Sequence, residues 1–414
     1  MSRFLIILAI AACYFTFAIL LNSVGTVILQ SINSFDISKT QASSLEGFKD
    51  LSIAAVSFLV ASIIPRIGYK IAMLAALLLV TLMCFSLPSF NSFMATQALF
   101  ACIGTAFAFI KVSVYSVIGQ LSDDPQSHSS LLSTIEGIFM VGMLSGYWIF
   151  GLFIDPADPT SSEWLNVYYL LAGMCLITGL LVFIAPVPKA ARHNEQTTVV
   201  KEFVEMLRLA YQPLVLIFVL SIFLYVLIEQ GIGTWLPTFN AEILKLPVDV
   251  SIQLTSIFAG AIAVGRLASG QLLRYFNWYT YLNVCLAGMA ALVIYSLSIP
   301  ETDTSQVKTL LDAPYAAFLL PLIGLLMAPI YPVINSVMLS ALDKSRQASM
   351  TGLIVVFSAL GGTTGSIITG SVFEAMGGKT AFYFSLVPMV MITIALFLFR
   401  RATNQLLRLT KENS

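Results

Sequence analysis

The sequence predicts an all-α membrane protein, with twelve transmembrane helices in two pseudo-symmetric six-helix bundles. Three observations predict it: an apolar composition interrupted at regular intervals, Lys and Arg gathered in alternate loops, and an internal repeat. The 414 residues are 58% hydrophobic and 10% charged, with a mean hydropathy of +0.90, far from a soluble globular composition. A helix needs about 20 apolar residues to cross a bilayer. Candidate spans fall at 4–30, 44–65, 70–88, 93–119, 131–154, 166–186, 213–239, 251–274, 278–299, 314–340, 348–373 and 380–400. Little is left between them, which argues against a soluble catalytic domain.

The loops set the expected topology. With the N-terminus in the cytoplasm, that side receives Arg3, Arg66, Lys70, Lys189, Arg192, Lys201, Arg208, Arg274, Lys344, Arg346, Arg400, Arg401, Arg408 and Lys411. The far side receives only Lys39, Lys245, Lys308 and Lys379, so the positive-inside rule places both termini in the cytoplasm of an inner-membrane protein. The N-terminal apolar run is long and is echoed in the second half, so it is expected to be the first span and not a cleaved peptide. Residues 1–188 and 213–414 form the expected bundles. The polar stretch 189–212 joins them, with a short surface helix expected from Val199 to Leu209. Cations and anions balance at 21 each, and no nucleic-acid partner is implied. Cys13, Cys84, Cys102, Cys175 and Cys285 sit singly in apolar runs, as small fillers do, and His128 and His193 lie in loops. No metal, cofactor, phosphate loop or catalytic set is visible.

The halves echo one another. Moving back 208 residues lays Gln230-Gly231-Ile232-Gly233-Thr234 over Asn22-Ser23-Val24-Gly25-Thr26 and carries Arg274 onto Arg66. An offset of 220 lays Gly324, Ala328, Ile330, Ser336 and Val337 over Gly104, Ala108, Ile110, Ser116 and Val117. One residue of slip later, Gly361, Gly365 and Gly370 match Gly142, Gly146 and Gly151, rows that predict close helix contact. Parallel halves of six spans are one repeat architecture of secondary transporters.

The loop after the second span, Ala61 to Lys70, keeps Arg66, Gly68 and Lys70 of a signature that reads Gly, three residues, Asp-Arg, one residue, Gly, two basic residues. It departs at Ala61, at Tyr69 and at Pro65, where the acid belongs. On span count, loop charge, repeat and this loop, the chain resembles the major facilitator superfamily. The glutamate before a glycine-rich break in the seventh span looks most like the fucose-permease and sugar:proton symporter branch. That resemblance implies a cavity among the first, fourth, seventh and tenth spans, and fifth and eighth spans that face each other. Permeases of that branch carry an acid in the fourth span, where this chain has Phe107, Ala108, Phe109 and then Lys111. Drug/proton antiporters of the superfamily carry a Gly-Pro motif in the fifth span, and no proline stands between Leu131 and Ile154.

Charges inside spans are expensive and usually mark pathways. Glu229 and Gln230 stand in the run Phe223 to Asn240, followed by Gly231, Gly233 and Pro237, which loosen a spanning helix where protein or water takes up the freed groups. Lys111 and Glu136 lie at comparable depth, counted at about 1.5 Å per residue from their shared loop. They form either a fixed pair or part of the solute or proton path. Arg266 is expected either to bridge to Glu136 or to satisfy helix-end carbonyls near Arg274. On the second span, Glu46 shares a helix face with Lys49 or Asp50, whereas the adjacent Lys49 and Asp50 cannot face each other well. Glu46 is expected to be a solvated helix start and Asp50 part of an outer gate or proton path.

A carboxylate in an apolar cavity can load and release a proton near neutral pH, which makes Glu229, Glu136 and Asp50 the candidates for proton coupling. Asn22, Gln30, Tyr115, Gln230, Trp235, Tyr331 and Asn335, on the four central spans, are the candidate solute contacts. Amides offer donor and acceptor together, and aromatic faces stack on sugar rings. The expected function is proton-coupled uptake of a sugar or sugar derivative by a monomer. A carrier of organic anions, a drug or metabolite exporter and a non-transporting sensor remain alternatives.

Overall fold

A computed structural model describes residues 2–122, 125–188, 208, 210–300, 303–340 and 347–412. Among them the regular elements are all helical, and 11 helices are long and apolar enough to cross a membrane. The second span, Ser44–Ile67, is also long enough to cross a bilayer. The third to sixth spans are Tyr69–Phe90, Phe93–Leu121, Pro125–Gly151 and Val167–Ile184. The eighth, ninth and eleventh are Val248–Leu272, Trp278–Ser298 and Gln347–Met376. Local chemistry sets several starts: Ser92 and Asn277 accept from Ala95 N and Tyr279 N, and Pro213 opens the seventh span where its missing N–H is harmless.

The remaining spans are interrupted. The seventh ends at Gly233 and resumes at Leu236–Glu242, as the glycines and Pro237 predict. The first breaks at Ser23, whose hydroxyl donates back to Leu20 O at 2.9 Å, giving Ser2–Asn22 and Val24–Phe35. The tenth divides into Tyr315–Leu319, Ile323–Met327 and Ile330–Ser340, with Pro321 in the first gap. The twelfth comprises Gly378–Phe384 and Leu386–Glu412.

The chain separates into two compact units, Met1–Gln196 with Pro247–Ser256, and Thr197–Leu246 with Ile257–Ser414. In the first unit, span one packs on five and six, two on four, and three on four and six. In the second unit, span seven packs on eleven and twelve, and nine on ten and twelve. Glycines make the same approaches in both. A Cβ on Gly142 would stand 2.6 Å from Phe15 O, and one on Gly361 would strike Phe223 O. Gly146 lies against Ile19, and Gly365 against Leu227. Phe15 to Phe223 and Ile19 to Leu227 are each 208 residues apart, the offset of the sequence repeat. Gly104 likewise abuts Lys49 O, while a Cβ on Gly324 would lie 2.6 Å from Phe258 O. Without side chains at these points the helices close to backbone contact, where association in lipid gains its packing energy.

All five cysteines are free, four of them buried. Residues 189–207, with His193 and most of the expected surface helix, lie outside the described residues.

Candidate functional site

The second span carries a sealed ionic cluster. Lys49 Nζ meets Glu46 Oε1 at 2.5 Å and Asp50 Oδ1 at 3.5 Å. Glu46 is 0% exposed, Lys49 5% and Asp50 9%. Tyr147 of the fifth span, also buried, is within electrostatic reach of Lys49 and Glu46. Two expectations are corrected here. Glu46 is no solvated helix start, because the second span packs along the fourth through Gly104 and Gln97 Nε2 donates to Ser44 Oγ at 2.8 Å, covering its first turns. Lys49 and Asp50 do meet, because the flexible lysine stem curls the ammonium between its own neighbour and the acid one turn back.

A second cluster of the first unit is open. Tyr115 of the fourth span donates to Glu136 Oε1 of the fifth at 2.7 Å, and Lys111 Nζ stands 5.9 Å from the centre of the Tyr115 ring. Lys111 and Glu136 attract one another at this range. Lys111 and Tyr115 are exposed and Glu136 is partly so. The floor is aromatic: Tyr14 lies 6.3 Å from Tyr115, 6.2 Å from Phe107 and 5.7 Å from Phe139, ring centre to ring centre. The structure thus joins Lys111 to Glu136 through a phenol. Tyr14, which the sequence reading passed over as one hydroxyl in an apolar run, belongs to the set.

The second unit builds a comparable group. Tyr225 donates to Glu229 Oε1 at 3.1 Å, one helical turn apart on the seventh span, and its ring lies 5.6 Å from that of Tyr331 on the tenth. Arg266 and Glu229 both lie within electrostatic reach of Tyr225 and Tyr331. The Tyr331 hydroxyl is 3.4 Å from Ser358 Oγ, and Asn335 is a further neighbour. Arg266 is exposed, and Glu229, Gln230, Tyr331 and Asn335 are half-buried. Tyr225 was legible only as the residue four before Glu229, a spacing that shares a helix face.

The other candidates are placed differently. Trp235 is fully buried, its Nε1 donating to Ser366 O at 3.0 Å and its ring packed on Phe373, so it locks the seventh span to the eleventh. Gln30 is buried at 1% exposure, with Nε2 lacking a hydrogen-bond partner. Asn22 donates to Ala18 O at 2.8 Å, and Thr234 donates to Gln230 Oε1 at 3.4 Å. In the signature loop Gly68 turns at φ 84°, a left-handed value that favours glycine. Lys70 donates to Ala185 O at 3.0 Å and stands over Phe183, capping the sixth span. The Arg66 side chain lies outside the described residues.

Known proteins now bear on this geometry. Protein TsgA homolog of Buchnera aphidicola subsp. Acyrthosiphon pisum (strain Tuc7) is 21% identical over 353 residues, 85% of each chain. A variant of the nucleoside transporter NupG superposes with TM-score 0.78 at 12% identity, over 96% of this chain and 100% of that one. A variant of the E. coli fucose:proton symporter FucP superposes with TM-score 0.61 at 15% identity, over 96% and 99%. The sequence profile described as Major Facilitator Superfamily matches residues 6–362. Because that match runs from the first span into the eleventh, the chain belongs to the Major Facilitator Superfamily of membrane transporters and is not an enzyme.

Proposed function

We propose that the protein moves a small polar solute, a sugar or sugar derivative, across the inner membrane by alternating access of the bundles 1–188 and 213–414, coupled to protons. The observation that carries this reading is the open set of Lys111, Tyr115 and Glu136 above the rings of Tyr14, Phe107 and Phe139. An ammonium, a phenol and a carboxylate supply donors and acceptors to hydroxyl groups, and aromatic faces take the apolar side of a sugar ring. Structurally similar proteins include a nucleoside transporter, a D-xylose-proton symporter and a fucose:proton symporter, which supports a hydroxylated cargo.

The tyrosine–carboxylate pairs support the proton coupling. A phenol donates to an ionised carboxylate, and once the carboxyl takes a proton it has its own donor. Protonation thus changes the bonding of Tyr115 and Tyr225 beside the candidate solute contacts. Glu229 is the first candidate for the proton, followed by Glu136, with Asp50 in its sealed cluster third. Gln230, Tyr331 and Asn335 complete the solute contacts from the second unit, and Arg266 and Lys111 balance the carboxylates. The loop lysines and arginines support cytoplasmic termini, and the monomer is taken as the working unit.

Thermal-shift screening of the purified protein against sugars, sugar acids, nucleosides and amino acids at two pH values tests the solute class. A neutral hydroxylated solute is expected to raise the unfolding temperature. The exposed Lys111 ammonium favours a second reading, an organic-anion carrier, in which only acidic solutes shift it. In proteoliposomes Glu229→Gln is expected to abolish proton-driven accumulation and leave exchange, and unchanged accumulation removes Glu229 from that role.

A further inference from the structure

A separate cavity lies at one end of the second unit, where four spans meet the polar boundary. It has a volume of about 60 Å³ and is lined by Phe239, Ile243 and Leu244 below and by Lys245, Lys379, Ser296 and Thr304 around it. Lys245 follows directly on the seventh span, Ser296 stands in the last turn of the ninth, and Lys379 opens the twelfth. Pro314 and Ala316, at the start of the tenth, close the wall. All lie in the second unit, away from Glu229 and Tyr331.

Its chemistry is two-sided. Among the described residues the ionisable lining groups are two lysines, and the rest of the wall is largely aliphatic or aromatic. Ser296 Oγ is buried without a hydrogen-bond partner among the described residues, so a donor is left over inside the wall. Lys245 is held in a left-handed conformation at φ 55°, which non-glycine residues seldom adopt, and Thr304 Oγ1 donates to its carbonyl at 3.0 Å. The side chain is therefore presented by a fixed backbone and not by a loose loop.

We propose that this cavity binds the headgroup of an anionic phospholipid. The phosphate lies between Lys245 and Lys379 and accepts from Ser296, and the glycerol and first acyl carbons rest on Ile243, Leu244 and Leu297. Two things single out lipid over a free anion: the ends of four spans set the cavity at headgroup depth, and apolar wall adjoins the cations. The site is independent of the transport reading and acts on the unit that holds Glu229.

The test is native mass spectrometry and thermal unfolding of the full chain in nanodiscs of zwitterionic lipid with a rising fraction of phosphatidylglycerol. Wild type is expected to retain phosphatidylglycerol and to unfold at higher temperature as its fraction rises. Lys245→Ala and Lys379→Ala are each expected to weaken retention about fivefold, and the double variant more. Lys308→Ala, on a loop outside the cavity, controls for bulk surface charge. Equal retention by wild type and the double variant overturns the proposal, as does an equal loss in Lys308→Ala. An equal rise in unfolding temperature with inorganic phosphate in neutral detergent also overturns it, because the site is then for a free anion. If the double variant fails to fold, Ser296→Ala and the charge-preserving Lys245→Arg replace it. The first is expected to lose retention and the second to keep it, and the reverse order contradicts the assignment.

Discussion

The first unit holds two acid–lysine sets that differ in burial. Around Lys49, two carboxylates close on one ammonium and all three groups are buried. Around Lys111, a single carboxylate is held by a tyrosine hydroxyl, and the ammonium is exposed over an aromatic floor. In the sealed set two carboxylates share one ammonium out of solvent, whereas in the open set one carboxylate takes a phenol as its donor and the residues are at least partly exposed. Position within a span does not by itself decide which charge is buried; the packing around it does.

The strongest way to break the comparison is to remove each lysine. Lys49→Met leaves Glu46 and Asp50 buried without their cation, a loss of about 3–5 kcal/mol, expected as collapse of the folded yield and of the thermal midpoint in detergent. Lys111→Met leaves a partly exposed carboxylate that still accepts from Tyr115, so its midpoint is expected to stay within about 0.5 kcal/mol of wild type while solute-induced shifts vanish.

Next come the glycines. Gly104→Ala drives a methyl group into Lys49 O beneath the sealed set and is expected to destabilise by about 1–3 kcal/mol. Gly137→Ala, one residue after Glu136 in open space, is expected to gain about 0.5–1 kcal/mol from helix propensity. Thermal unfolding reads both, and the opposite signs are the point.

Tyr115→Phe removes one hydrogen bond from the open set. Weakening by about 0.5–1.5 kcal/mol is expected as a rise of roughly two- to twelvefold in half-saturation for the transported solute, whereas Tyr147→Phe beside the sealed set leaves half-saturation unchanged. The smallest effect is the direct coupling between Lys111 and Glu136. Lys111→Ala is expected to be harmful alone and partly rescued by Glu136→Ala, with a coupling of about 0.2–1 kcal/mol in a double-mutant cycle.

The fold was largely legible in the chain because lipid imposes a simple rule, apolar runs of fixed length. The 208-residue repeat reappears in space, where Gly142 and Gly361 meet residues that same distance apart. Helix breaks were legible where glycine and proline mark them, at Gly233 and Pro237, and the repeat carries Gly233 onto Gly25, two residues past the break at Ser23. Side-chain environment was the harder part. Glu46 looks solvated by its place near a helix start, and only the packing of the fourth span against it buries it. Trp235 sits on a central span yet turns its indole to Ser366. Tyr14 and Tyr225 join the candidate sites through contacts that periodicity ranks no higher than core packing.

The most direct test of the contrast between the two sets is lysine footprinting in native membranes with a water-soluble acylating reagent, read by mass spectrometry at Lys49 and Lys111. The expected result is ready modification of Lys111, slowed by the transported solute, with Lys49 left unmodified until the protein is denatured. Equal reactivity of the two lysines, or protection of Lys49 and not Lys111 by solute, would contradict the account.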